Sequence, residues 1–428
     1  MAADLRLDPA IAAEILGDRG LWRDFNDICD CGGRLAGTES EKRAFALLRE
    51  RVRAASPANA GRSIPVPYGG WRARKATLRL ADGSQPSCHP LVRTIATPAA
   101  GLTAEVIDLG RGTPEEFEAH DAEIRGRIVL VRHELMFAAG TIHRRRKYDA
   151  ARAHGAVGFL IAGPLSGHVV AGSSGRQAGE GIPALGIAPE TAARLARHAG
   201  GFPTATMTIE TEETPAETET LVYDYPGQTD EWVVLSAHVD GHDLAESAMD
   251  NGTGLAAVLS VTRALAPRAS GFRRGLRVMF FSVEEWALTG SAQYVEALGA
   301  DERSRIAVNV NLDSVAGSPR LAALSSDYVG LEPFILGTAE ANGLDVRTVR
   351  PLMTNSDHAN FAQGGIPAMR LVAGFDDPAA NLRVVLTPAD TRDKVVQGEL
   401  RTATLLTAAL VAAACTADPA EAARWRRR

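Results

Sequence analysis

Trp232 to Leu265, WVVLSAHVDGHDLAESAMDNGTGLAAVLSVTRAL, holds a whole strand, loop and helix unit in one stretch. The apolar run from Trp232 to Ala237 has no polar alternation, as a strand buried on both faces requires, and it ends directly on His238-Val239-Asp240. Asp250-Asn251-Gly252 then precedes apolar residues at helical spacing from Gly254 to Leu265. The rhythm recurs downstream. Arg277 to Val283 runs into Glu284-Glu285, a helix from Gly290 to Leu298 follows, and Ile306 to Leu312 runs into Asp313. Buried strands joined by crossover helices predict a three-layer α/β/α domain around a mostly parallel mixed sheet.

Outward from this block the pattern changes. Toward the N-terminus, Asp8-Pro9 is a helix start, and Thr38 with Glu41 reads as a capping box ahead of Phe45, Leu48 and Val52. Pro65 to Arg79 is strand-like. Short strands at Ile128 to Val131, Val157 to Ile161 and Ile182 to Ile187 alternate with helices at Arg144 to His154 and Pro189 to His198. These form a smaller α/β domain of their own. The polar stretch Thr211 to Thr220, TEETPAETET, separates it from the buried strands. The expected division is therefore residues 96–215 as an insert, and 1–95 with 216–428 as one discontinuous domain. Within the insert, the Gly-rich stretch GSSGRQAGEG at 172–181 lacks the Lys-Ser/Thr of a phosphate loop and reads as a mobile surface loop. The run Arg144-Arg145-Arg146-Lys147, like the terminal RWRRR, reads as a solvated charged face.

At 428 residues the chain has room for two to three domains. Its 45% hydrophobic and 23% charged residues are those of a globular protein, and 41 Gly with 22 Pro exclude a low-complexity chain. A formal charge of -6 argues against a general nucleic-acid binder. Cys29, Cys31, Cys88 and Cys415 are too few and too unevenly spaced for a disulfide scaffold or a zinc ribbon. No basic segment followed by an apolar one opens the sequence, so the expected compartment is the cytoplasm. The longest apolar stretch, Leu405 to Cys415, is shorter than a membrane span and reads as a buried helix.

The chemistry lies at the strand ends. In open α/β sheets ligands bind beyond the carboxyl ends of the strands, so His238, Asp240, Asp250, Glu284, Glu285 and Asp313 converge on one rim. A single Asp after a strand is usually a turn or a helix cap; several together are a site. Imidazole and carboxylate donors without cysteine suit zinc, with manganese or cobalt as alternatives. Residues two apart in a strand share a side, which lets Asp240 hold one nitrogen of His238 while the other faces the metal. Asp250 suits a bridge between two ions. Of the adjacent pair Glu284-Glu285, one binds metal and the other moves the proton of activated water to the leaving amine.

These blocks resemble a family of co-catalytic zinc peptidases that includes leucyl aminopeptidases, aminopeptidase Y and glutamate carboxypeptidase. AHVDGHDLAESAMDNGTGLAAVL is similar to its HxD and DN(S/T)G block, FFSVEEWALTGSAQYV to its EExGLxGS block, and NVNLDS to its third acidic strand end. GGRLAGTES resembles its first loop. GRIVLV through KYDAARAHGAVGFLI to IPALGI resembles the protease-associated domain inserted in some members, a lid or a substrate-selecting wall. The resemblance implies His238, Asp250, Glu285 and Asp313 as ligands of two zinc ions, Asp250 bridging, with Glu284 as general base and Asp240 orienting His238. In one place the sequence departs from the family. Where members carry a fifth ligand, a His shortly before a DT pair, RVVLTPADTRDKV has Leu386. SDHANFAQGGIPAMRL is similar to an SDHxxF block, and it offers His358 as the replacement ligand, with Asp357 and Arg370 as substrate contacts.

The implied activity is hydrolysis of a peptide or other amide bond by an aminopeptidase-like exopeptidase. Its partner is a peptide or small amide substrate, without nucleic acid or membrane; self-association is compatible with the sequence. Arg370 supports a rival reading, a carboxypeptidase-like enzyme or amidohydrolase acting on acidic substrates. Leu386 supports another, a metal-free binding protein on the peptidase scaffold. Against the latter, unpaired buried carboxylates would be costly.

Overall fold

The computed structural model describes residues 5–176, 179–197 and 201–428. Among the described residues thirteen strands form: β1 Arg62–Leu80, β2 Cys88–Pro90, β3 Leu102–Asp108, β4 Ile128–Arg132, β5 Gly158–Ala162, β6 Ala184–Ile187, β7 Thr204–Tyr225, β8 Trp232–His238, β9 Gly275–Phe281, β10 Ile306–Leu312, β11 Leu321–Leu324, β12 Arg347–Val349 and β13 Ala368–Ala373. The three strands expected to carry the site are β8, β9 and β10. They lie side by side and parallel in the order β9-β8-β10, with β13 parallel on the far side of β10. Antiparallel strands β7 and β11 flank this block. The sheet is mixed with a parallel centre, and every residue of β10 is buried.

Helices cover both faces. Thr253–Leu265 and Gln397–Thr416 pack on each other and on β8 and β10, while Thr289–Ala297 packs on the short helix His358–Gln363, which lies against β10 and β13. Gln397–Thr416 is long and apolar enough to cross a membrane by length and composition, yet most of its residues are buried in the core. Asp8 caps its helix as expected, its carboxylate accepting from Ala10 N at 2.8 Å. The Thr38 cap forms, but Glu41 does not return to Thr38. Its buried carboxylate accepts instead from Gly37 N, Thr218 and Ser282.

The smaller domain is a parallel run β3-β4-β5-β6 with β2 antiparallel at its edge. Besides the short helices Pro114–Ala119 and Asp121–Ile124, it carries the two expected ones, Arg144–Ala153 and Pro189–Ala196; the expected end of the latter, His198, lies outside the described residues. Two sequence expectations are overturned here, and one polar stretch gains a structure. TEETPAETET, read only as a polar stretch ahead of the buried strands, lies inside β7, which pairs antiparallel with β1 along almost its whole length. Alternating Thr and Glu on a two-stranded ribbon open to solvent needs no apolar face, which is why the sequence shows only polarity there. The first half of the Gly-rich stretch is not a surface loop, since Gly172 to Arg176 are buried, whereas Gly179 and Glu180 are exposed. Nor is the Arg144–Lys147 run a solvated face. Arg144 and Lys147 are buried, Lys147 donating to Arg111 O, Arg132 O and Glu134. The terminal arginines are exposed, although Trp425 between them is fully buried.

Candidate functional site

At the carboxyl end of β8, His238 turns its Nε2 toward Asp250 Oδ1 at 3.1 Å and Asp313 Oδ1 at 3.6 Å. Asp313 follows β10, and Asp250 sits on the irregular turn before the helix Thr253–Leu265. Glu284 and Glu285 leave β9 through Val283, whose φ of 59° ends the strand abruptly. Donor atoms of His238, Glu284 and Asp313 all lie within 4.8 Å of one another, and Asp250, Glu284, Glu285, Asp313, Arg370 and Leu386 line one cleft of about 60 Å³. The strand-end residues therefore meet as expected. Glu284, expected as the base, stands in the same donor cluster as His238 and Asp313.

Several supports hold this rim. Asp390, fully buried, accepts from Met249 N at 2.8 Å and Asp250 N at 3.3 Å. Asn251 donates to Leu312 O and accepts from Gly254 N and Ser314 N, tying the turn to the end of β10. Arg34, buried in the first loop, donates to Val239 O, Glu246 O and Ser247 O. Arg370, on β13, pairs with Asp313 Oδ2 at 3.2 Å, lies over the Phe137 ring of the insert, and donates to Asn355. Asp390 belongs to the quoted DT pair and Arg34 to the quoted GGRLAGTES loop, but neither stretch showed what these side chains hold. Their partners are backbone groups far away in sequence.

Two expectations need correction. The Asp240 carboxylate does not hold His238. It accepts from Glu284 N and Glu285 N, both at 3.1 Å, while the Asp240 backbone carbonyl stands 2.9 Å from His238 Nδ1. The carboxylate bridges to the neighbouring strand end, 3.9 Å from the imidazole, so it orients the glutamate pair instead. His358 is not brought to the donors. It begins a helix packed into the core, fully buried with neither ring nitrogen hydrogen-bonded, and among the described residues it shares no donor cluster. Asp357 is buried beside it, accepting from Ser291, and does not line the cleft.

The electrostatics are those of crowded acids. Burial, followed by the repulsion of neighbouring carboxylates, pushes Glu284 and Glu285 well above the ordinary carboxylate range, though His238 opposes the rise. Burial pushes Asp240 up to about 7. At Asp313 burial also acts upward, but Arg370 and His238 prevail and hold it low. His238 Nε2 and Glu285 Oε1 are buried without a hydrogen-bond partner. Orphaned nitrogen and oxygen donors in a cluster of acids fit a divalent cation of the zinc type. His238, Asp250 and Asp313 would offer three protein donors to such an ion, with Glu284 close by, whereas Asp250 and Glu285 would offer only two to a second.

Comparison with known proteins follows the same lines. Residues 220–411 match the family model described as Peptidase family M28, and residues 89–195 match the PA domain. The chain is 27% identical to aminopeptidase YwaD of Bacillus subtilis over 89% of its own length and 81% of that protein. It is also 27% identical to a probable lipoprotein aminopeptidase, LpqL, of Mycobacterium tuberculosis, over 72% of its own length and 63% of that protein. Among solved structures, a peptidase M28 precursor from Shewanella amazonensis superposes with a TM-score of 0.79 at 20% identity, covering 96% of each chain. A zinc aminopeptidase from Bacillus subtilis superposes with a TM-score of 0.72 at 23% identity, covering 93% of this chain and 95% of that one. Both attest the fold.

Proposed function

This chain belongs to peptidase family M28, with a PA domain inserted ahead of its catalytic strands, and on that premise we propose that it is a zinc-dependent exopeptidase of the aminopeptidase type. The observation that carries the reading is the meeting of His238, Asp250 and Asp313 beside Glu284 and Glu285 at the ends of three parallel strands. His238, Asp250 and Asp313 would hold the ion. Zinc, when bound, supplies a Lewis acid that polarises the scissile carbonyl and makes water more acidic. Glu284, held by Asp240 through its backbone N–H, takes the proton of the attacking water and delivers it to the leaving amine. Asp390 fixes the turn that presents Asp250, and Arg370 fixes Asp313.

The test uses the zinc-loaded chain with aminoacyl anilides and short peptides. Cleavage that releases the N-terminal residue, stops with chelator, returns with zinc and fails on N-acetylated substrates is the expected result. Equal hydrolysis of acetylated substrates would overturn the aminopeptidase assignment.

A further inference from the structure

Leu386 stands on the cleft wall, 1% exposed, with its carbonyl accepting from Ala171 N of the insert at 2.7 Å. The next residue, Gly172, has φ +103°, and a Cβ there would lie 2.3 Å from the Arg144 guanidinium carbon. Only glycine leaves this space. The same loop fixes Arg144 from its other side, Nε donating to Ser173 O at 2.6 Å, and Nη1 stands 3.3 Å from His133 Nε2. His133 is half-buried, and desolvation of its ring followed by Arg144 depresses its pKa to about 3, so it is neutral and can accept. Arg144 Nη2 has no hydrogen-bond partner among the described residues. It lines the cleft with Asp250, Glu284, Glu285 and Leu386.

Asp250 and Glu285 with a leucine in third place do not make a zinc site, since catalytic zinc takes three protein donors. Yet Glu285 Oε1 is buried and unpartnered, and a buried carboxylate needs a cation. Arginine meets that need permanently, because its guanidinium stays protonated in proteins. We propose that this chain works with one metal ion, and that Arg144, delivered by the inserted domain into the cleft that Glu285 also lines, without forming an ion pair with its carboxylate, supplies there the positive charge that a second ion would bring. The inference rests on the metallopeptidase reading above and deepens it: the insert completes the active site instead of merely covering it. The buried arginine, its glycine cradle and the leucine are then one device.

Zinc content, measured by mass spectrometry on the full chain after dialysis against buffered zinc, separates the outcomes. About one zinc per chain is expected. Two per chain would overturn the proposal, whereas none would overturn the metallopeptidase reading itself. Leu386→His alone should still bind one, because Arg144 remains in place; Leu386→His with Arg144→Ala should bind two. A second zinc in the single variant would show that Arg144 does not hold that position. Arg144→Ala should keep its one zinc while kcat/KM falls at least tenfold, with partial recovery in Arg144→Lys. Undiminished kcat/KM in a folded Arg144→Ala would equally overturn the proposal.

Discussion

Asp390 shows how much of the site depends on single side chains away from the chemistry. Its carboxylate is the acceptor for two consecutive backbone N–H groups, those of Met249 and Asp250, in a place without solvent. Asp390→Ala leaves both donors unsatisfied, at about 1–3 kcal/mol each, and frees the turn that carries Asp250. Urea denaturation should show a loss on that scale, and zinc titration an affinity lowered about 10- to 100-fold. An unchanged zinc Kd would detach Asp390 from the site. Glu284→Gln tests the proton carrier: zinc content should hold while kcat falls ~10² to 10⁴-fold. Loss of zinc in that variant would make Glu284 a ligand, in line with its closeness to His238 and Asp313. His238, Asp250, Glu284, Glu285 and Asp313 were legible because each follows an apolar run, or opens a helix, at the rim where strands end. Arg144, Arg34 and Asp390 lay in quoted stretches, but their roles were not legible there. A buried arginine and an exposed one look alike until distant carbonyls and glycines are in place around them.

Among the elements, the strands with no polar alternation were the readable ones, since burial on both faces leaves a mark in every residue. The β1–β7 ribbon carries no such mark in its exposed portion, so Thr211 to Thr220 was legible only as a polar stretch and not as a strand. Loops read least well, because their geometry depends on close approach. Gly33 is the clearest instance: a Cβ there would stand 1.9 Å from the His242 carbonyl oxygen, in backbone that cannot swing away. Gly33→Ala should push apart the first loop and the loop that carries Asp240, costing about 1–3 kcal/mol or more and lowering kcat. Gly17→Ala is the matched control. That residue closes the helix Pro9–Gly17 with nothing within 4 Å of its Cβ, and the change should stabilise by about 0.4–1 kcal/mol through the unfolded chain. Equal melting temperatures for the two variants would contradict the packing described for the first loop.

At the scale of the whole molecule, a cluster of buried acids makes the folded state sensitive to the ion it selects. Zinc at a hundredfold excess over Kd adds ~2.7 kcal/mol to the stability of a state that alone binds it. With about 2.1 cal/mol/K of unfolding entropy per residue, that raises the melting midpoint of a chain this long by roughly 3 °C, which scanning calorimetry resolves. A midpoint unmoved by saturating zinc would mean that folding does not build the site.

The ribbon has a different consequence, for the order in which the chain can assemble. Arg62 pairs with Val222 and Leu80 with Ala205, so β1 leaves the ribosome long before its partner exists. Closing so long a loop from a disordered chain carries an entropic cost that a short hairpin avoids. The insert removes most of that cost, because once its own sheet has formed, β3 lies against Leu102↔Met207 to Glu105↔Thr204 and brings the two arms of the ribbon together. In effect it is a hairpin whose turn is a domain. Substitutions deep in the insert's core, far from any catalytic group, are thereby placed to slow the maturation of the peptidase without altering the finished enzyme.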